Sequence, residues 1–436
     1  MANRIERRLP FRSWLLAAVL LVSTGTAHAQ APYRAIEFED LGLTNTGDVS
    51  ARGAGLTAFI PAAGDATALI YNPAGLCRIK QRTGQLGLTY DTRETVTDYG
   101  MQSLGLSSDR YGLAFVGAAY PLPTFRGALV PAIAVHRMYV SDLDIAYERD
   151  NDLDGRFDSF RFQQSGSTYA LAFGFGIDLA SVLSAGLSLS VFEGGYTSLR
   201  QSHSRETTTT PVDRYIINDV DGDLDGVVGR LGVILFAHRH VHIAVNVTTP
   251  TAVNNATTET SEITEVVENG TGSTTTTSIA TSSEYYVPYR LDGGIEFPLG
   301  DWLFVAQAAT SDWSQAEIDG RGLRLQNGNA VLGRTVDVRA GVEWTSPWWP
   351  LRVRAGAAQL PFAPEYIQAD RIDNDQLEEA LVESPPRRYS FGAAIALKRT
   401  ILIDASYTRT TGDRGSASFS EERTSSQILI EGSYWF

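Results

Sequence analysis

From about Thr83 onward the chain repeats one pattern, roughly ten residues of apolar/polar alternation followed by a turn or a longer polar segment. Ile401, Ile403, Ala405 and Tyr407 alternate with Leu402, Asp404, Ser406 and Thr408. Val336, Val338, Ala340, Val342 and Trp344 alternate with Asp337, Arg339, Gly341 and Glu343. The same holds for Tyr289–Phe297 and Tyr169–Ile177. A period of two puts the sets on opposite faces of a strand. Two architectures fit. A soluble sandwich turns its apolar face to a core, whereas a transmembrane barrel turns it to lipid and its polar face to the lumen.

Three further features favour the barrel. The chain stops on Ile428-Leu429-Ile430-Glu431-Gly432-Ser433-Tyr434-Trp435-Phe436, a strand with no tail after it, although termini usually fray. Short turns near Pro121 to Gly127, Leu179 to Ser184, His238 to Val241, Gly300-Asp301, Ser346 to Pro350 and Arg399-Thr400 alternate with long segments near 92–109, 143–165, 198–224, 250–283, 314–333, 361–386 and 409–422. Barrels have such short periplasmic turns and long outer loops. Trp302, Trp344, Trp348 and Trp349 stand at strand ends, where interfacial girdles sit. Counting segments predicts about 14 strands, an even number compatible with closure. The third, 127–142, is interrupted by Pro131 and His136, and proline in a strand marks an edge, bulge or kink. The Thr/Ser/Glu tract at 250–283 predicts a mobile loop.

Residues 1–29 read as an export signal: Arg4, Arg7, Arg8 and Arg12, then the apolar run Trp14 to Val22, then Ala27-His28-Ala29. The run is too short to span a bilayer as a helix, and the residues around Arg7-Arg8 fit a twin-arginine signal poorly. Removing this segment takes away four Arg and one Glu, moving the formal charge from −14 to −17. So acidic a chain has no electrostatic footprint for nucleic acid. The single cysteine, Cys77, excludes an intramolecular disulfide framework.

Between the export signal and the first strand lies ARGAGLTAFIPAAGDATALIYNPAGL, ending at Leu76. Gly53, Gly55, Pro61, Gly64 and Pro73 break any helix here into short pieces. A compact, irregular segment packed against the inner wall of a barrel fits better. Pro73 fixes φ and Gly75 permits a close approach; a well-packed turn would need the same residues. Arg52 and Asp65 are charges in a segment otherwise poor in them. They have candidate luminal partners in Asp337, Arg339, Glu343, Arg352 and Arg354.

The motif ARGAG…GDATALIYNPAGL resembles the N-terminal plug signature of the FadL-type outer-membrane transport family, and relatives of the PorV/PorQ type carry it too. The resemblance continues more weakly through Thr248-Thr249-Pro250, Asp312-Trp313-Ser314, VRAGVEW at 338–344, LRVRAGA at 351–357 and RRYSFGA at 387–393. It implies a barrel of about 14 strands in the outer membrane of a Gram-negative bacterium, with residues 1–29 as signal peptide, 30–82 as plug and 83–436 as barrel. It assigns Arg52, Gly53, Gly55, Asp65, Asn72, Pro73, Ala74, Gly75 and Leu76 to the plug and its gating. It also implies that a hydrophobic ligand is caught at the outer loops and leaves through the lumen or a gap beside a kinked strand. The C-terminal Phe436 resembles the signal that barrels present to their assembly machinery. One departure is that the outer segments here are strongly polar, which weakens a long-chain fatty acid as ligand.

Two acidic runs suggest calcium. Asp150, Asp152, Asp154 and Asp158 occupy positions 1, 3, 5 and 9 of a calcium-loop pattern with Gly155 at 6, but the closing position is Arg161. Asp221, Asp223 and Asp225 offer the same alternation without a ligand at position 9. The alternative for both is a solvated acidic turn. His238, His240 and His242 recur at i, i+2, i+4 but fall at a predicted turn, where they need not share a face. No nucleophile elbow, Walker loop or HExxH is present. The expectation is a channel, not an enzyme, for passive uptake of small fatty-acid- or hydrocarbon-like compounds, in contact with outer-membrane lipid. The alternative is a PorV-like scaffold for protein secretion or surface attachment.

Overall fold

The computed structural model describes residues 41–43, 48–99, 102–124, 127–151, 156–206, 212–267, 272–323, 332–360, 382–398, 400–415 and 419–436. The expected signal peptide, residues 30–40 and the acidic residues Asp152 and Asp154 lie outside them. The chain opens with two short helices, α1 (Ala51–Leu56) and α2 (Ala68–Tyr71), and a 3₁₀ turn (Pro73–Arg78). Strands follow in order: β1 (Thr83–Tyr99), β2 (Gln102–Ala119), β3 (Leu129–Val140), β4 (Leu143–Asn151), β5 (Arg156–Ala180), β6 (Leu183–Glu206), β7 (Val212–His238), β8 (Val241–Thr248), β9 (Thr251–Val267) and β10 (Ser273–Val287). Next come β11 (Arg290–Leu299), β12 (Trp302–Asp312), the two-residue β13 (Glu317–Ile318) and β14 (Arg321–Gly322), and β15 (Arg334–Thr345). The chain ends with β16 (Leu351–Gln359), β17 (Val382–Leu397), β18 (Ile401–Gly415) and β19 (Phe419–Trp435).

The sheet closes on itself. β1 pairs with β2 on one side and with β19 on the other, from Thr83↔Trp435 to Tyr99↔Phe419. The result is a closed antiparallel barrel of 14 strands. β4, β9, β10, β13 and β14 are additions to this wall.

Burial decides between the two architectures. Val336 and Val338 are 58% and 57% exposed, while Asp337 between them is 2% exposed. Ile403, Leu291, Phe297 and Phe173 are likewise exposed, and Asp404, Asp292 and Glu296 are buried. A soluble core would give the opposite pattern, so the apolar outer face is the lipid-facing band of a transmembrane barrel.

The long segments differ from expectation. β5, β6 and β7 run 25, 24 and 27 residues, against about 10 needed to cross a membrane. They carry strand structure through much of what the sequence presents as loops at 143–165 and 198–224. The 250–283 tract is a hairpin, β9–β10, whose first strand zips onto the upper part of β7 from Val212↔Val267 to Gly226↔Val253. Its Thr-rich sequence is polar but β-branched, and a template strand on β7 supplies the ladder that composition cannot reveal.

Candidate functional site

The segment from Asp48 to Ile79 lies inside the barrel and touches wall strands on all sides. Its helices are short, and wall side chains satisfy much of its backbone. Gln307 Oε1 accepts from the N–H groups of Phe59 and Ile60 (3.1 and 3.2 Å), and Gln85 Oε1 accepts from Ala66 N (3.0 Å). Ser390 Oγ donates to Gly55 O (2.8 Å), and Glu431 Oε2 accepts from Ala51 N (3.1 Å). A buried irregular segment needs this, because unpaired backbone polar groups are costly.

The predicted motif residues form one unit. Asn72 is fully buried; its Oδ1 accepts from Ala74 N (3.2 Å) and its Nδ2 donates to Ile60 O (3.3 Å). It caps the 3₁₀ turn, and Pro73 takes the first position, where no N–H is required. A Cβ on Gly75 would lie 2.5 Å from Ala63 O. Gly53 packs on the Phe59 ring and Gly55 on Arg354. Ala74 and Leu76 are buried. Asp65 pairs with no wall residue among the described ones; it turns back to accept from Thr67 N (2.9 Å) and the Thr67 hydroxyl.

Arg52 does reach the wall. Its Nε and Nη2 donate to the two oxygens of Glu343 on β15 (3.1 and 3.0 Å). Glu343 is shared with Arg354 on β16 (3.2 Å), and Arg354 Nη1 sits 2.7 Å from both oxygens of Asp404 on β18. Arg78 pairs with Glu296 (2.6 Å), and Arg388 with Asp48 (2.6 Å). The charges of the segment and the polar face of the strands thus answer each other across the lumen.

Sequence reasoning missed two features. Thr57 has φ +58°, rare for a β-branched residue; its hydroxyl donates toward Ala340 O and Ala357 O at 3.0 and 3.1 Å, tying the end of α1 to β15 and β16. The second is a set of wall glycines. Gly186, Gly232, Gly294 and Gly341, on four different strands, face Pro73, Asn72, Pro61 and Leu56 so closely that a Cβ would overlap them. Gly in a strand signals close backbone approach, but the sequence does not say what approaches.

The wall itself has a gap. β2 pairs with β1 along its whole length, yet with β3 only over Phe115–Ala119 against Ala132–His136. Among the described residues, 102–114 pair with no strand on that side. β3 shifts register on β5 between Arg137 and Tyr139, breaks at Ser141-Asp142 and turns inward, burying Met138 and Tyr139. Side chains bridge the opening. Arg137 pairs with Asp91 (2.6 Å), and Arg110 pairs with Asp142 (2.8 Å) while donating to Gly166 O (2.6 Å) and Ser167 Oγ (2.8 Å). Arg93 donates to Asp142 O. Burial raises the Asp142 carboxyl above the usual range, against the pull of Arg110.

Above the luminal segment is a cavity of about 420 Å³. Tyr71, Met138, Tyr139, Val228 and Trp313 line it with many charged groups, among them Arg230, Arg290 and Asp337. An apolar cluster beneath the outer hairpins shares Leu43, Met138, Tyr139, Val228 and Trp313 with this cavity.

Asp221, Asp223 and Asp225 fall within β7, not in a loop. All three are exposed, alternating with Gly222 and Leu224 on the other face. Same-face neighbours on a strand are about 7 Å apart, unlike the converging oxygens of a calcium loop. Asp150 and Asp158 lie on the paired strands β4 and β5. His240 meets Pro298 O and His242 meets Glu296, so the three histidines disperse. Among the described residues no group of three or more His, Cys, Asp or Glu could hold a metal ion.

No protein-family model matches the chain, and no curated protein sequence is similar to it. Solved structures are. The toluene transporter TodX of Pseudomonas putida superposes over 89% of this chain and 98% of its own, at 13% identity and TM-score 0.58. A FadL homologue of Pseudomonas aeruginosa covers 90% and 99%, at 11% identity and TM-score 0.60. The toluene transporter TbuX of Ralstonia pickettii covers 92% and 97%, at 13% identity and TM-score 0.53. The chain has the FadL-type outer-membrane barrel fold. At such identities the likeness concerns architecture, and the FadL-type barrel must be read for function through its own residues.

Proposed function

We propose that the protein is an outer-membrane channel for passive uptake of small hydrophobic compounds, with residues 48–79 as its plug. The observation that carries this reading is the continuity of the outer apolar cluster with the cavity, which in turn reaches both the luminal segment and the gap beside β2. Ligand enters among Leu43, Met138, Tyr139 and Trp313. A small displacement of the Asn72-Pro73 unit opens a way to the periplasm, and separation of the Arg110–Asp142 bridge opens a lateral way to the membrane. The transport of toluene by proteins of the same fold supports this class of cargo. Ordered assembly starts, in this reading, with the assembly machinery binding the β19 terminus, where Phe436 N donates to Arg82 O beside the closing seam.

The test is uptake of toluene into liposomes, with single-channel conductance in parallel, for the wild type and an Asn72→Ala, Pro73→Ala variant. Uptake that rises or falls with the variant supports the plug as gate. A folded, heat-modifiable barrel that admits neither toluene nor a more polar monoaromatic compound refutes the channel, and protein partners of the β9–β10 hairpin become the reading to pursue.

A further inference from the structure

Four polar side chains around the cavity have hydrogen-bonding capacity that the fold leaves unused. His136 on β3 is 1% exposed; its Nδ1 is 3.1 Å from Arg137 O and its Nε2 has no protein partner. A carbonyl can only accept, so Nδ1 carries the proton and Nε2 presents a lone pair. Asn246 on β8 is buried, and its Oδ1 also lacks a partner. Arg230 on β7 is buried with one hydrogen bond, to Ser190 Oγ at 3.2 Å, and among the described residues no carboxylate lies within ion-pair distance. Its charge acts on both the His136 ring and the Tyr139 hydroxyl. Tyr139 in turn stacks edge-on against Phe192. Buried polar groups of this kind normally find partners, and here all four face a space also lined by Met138, Val228 and Trp313.

The donors and acceptors specify a ligand. Two acceptors, His136 Nε2 and Asn246 Oδ1, call for a hydrogen-bond donor, and the Arg230 guanidinium calls for an acceptor. A hydrocarbon supplies neither. A carboxylate answers Arg230 but has no proton for the two acceptors. A hydroxyl on an aromatic ring does both, donating to one acceptor while accepting from Arg230, with its ring against Met138, Tyr139 and Trp313. We propose that the cavity is a selectivity site for small phenolic compounds, with His136, Asn246 and Arg230 reading the hydroxyl. This rests on the channel reading above and narrows its cargo.

The experiment measures equilibrium binding of phenol, toluene and benzoate to the purified full-length barrel, with liposome uptake of the same three. Phenol should bind about tenfold more tightly than toluene, the ratio for one net hydrogen bond. The double variant His136→Leu, Asn246→Leu should erase most of that ratio, and His136→Gln, whose amide oxygen can accept, should retain it. Heat-modifiable mobility verifies that each variant is folded. Equal binding of phenol and toluene by the wild type, or tighter binding of benzoate, overturns the phenolic site and leaves the channel standing. Exclusion of all three compounds refutes the channel and this site together.

Discussion

Arg52 in the luminal segment and Glu343 on β15 meet through two parallel hydrogen bonds, 291 positions apart in the chain. Neither residue belongs to this pair alone in energetic terms, because Glu343 also faces Arg354, whose side chain is fully buried.

That sharing makes the two truncations unequal. Arg52→Ala leaves Glu343 with Arg354 and should cost about 1–3 kcal/mol, less than a fully broken buried pair. Glu343→Ala removes the carboxylate that both Arg52 and Arg354 face, leaving Arg354 with Asp404 and Arg52 with no ion-pair partner among the described residues, and should cost about 3–5 kcal/mol. Urea unfolding from detergent micelles, read by tryptophan fluorescence, should rank them in that order. Equal costs would mean that Arg354 does not hold Glu343.

The wall glycines predict a local effect distinct from unfolding. Gly341→Ala places a Cβ against Leu56 O, and Gly232→Ala places one against the Asn72 side chain. Both positions are on strands whose ladders continue on either side. The barrel should therefore still form, while residues 48–79 become accessible to protease. A variant that resists cleavage as the wild type does would show that the segment can shift to accommodate a methyl group.

The bridge across the wall gap should respond to acid. The Asp142 carboxyl is raised by burial, so as pH falls it takes up a proton before an ordinary aspartate would. The sign matters. A raised folded value means the native state binds more protons than the unfolded chain, so this group's contribution to stability grows as pH falls. Acidification thus loosens the Arg110–Asp142 bridge without unfolding the barrel through this residue. Hydrogen-exchange protection at Gly166 and Ser167, corrected for the pH dependence of intrinsic amide exchange, should fall as pH is lowered, and Asp142→Asn should show the lowered protection already at neutral pH. Corrected protection in that variant that still falls as pH is lowered would assign the effect to another group.

The outer hairpins, the glycines and the cavity show how far the residues alone can be read. Strand alternation, the short turns and the C-terminal aromatic residues are local properties, set by the period of two and by turn chemistry, and they are legible in order along the chain. The NPAG unit is legible for the same reason, since Asn72 caps and Pro73 starts a turn within five residues. The 250–283 tract misleads because a polar, β-branched segment has no fixed state until β7 offers it an edge. The acidic run at 221–225 misleads likewise: its loop-like spacing is overridden by pairing on both sides, with β6 and with β9.

By itself, then, the sequence determined a run of about 14 alternating strands with a compact segment before it, because alternation and turns act between near neighbours. The tertiary structure alone decided which face meets lipid, that Arg52 finds Glu343 while Asp65 folds back on Thr67, and that β3 leaves the wall beside β2. It also decided that His136, Tyr139, Arg230 and Asn246 share one cavity. Those relationships join residues tens to hundreds of positions apart, and they exist only once the last strand has closed on the first.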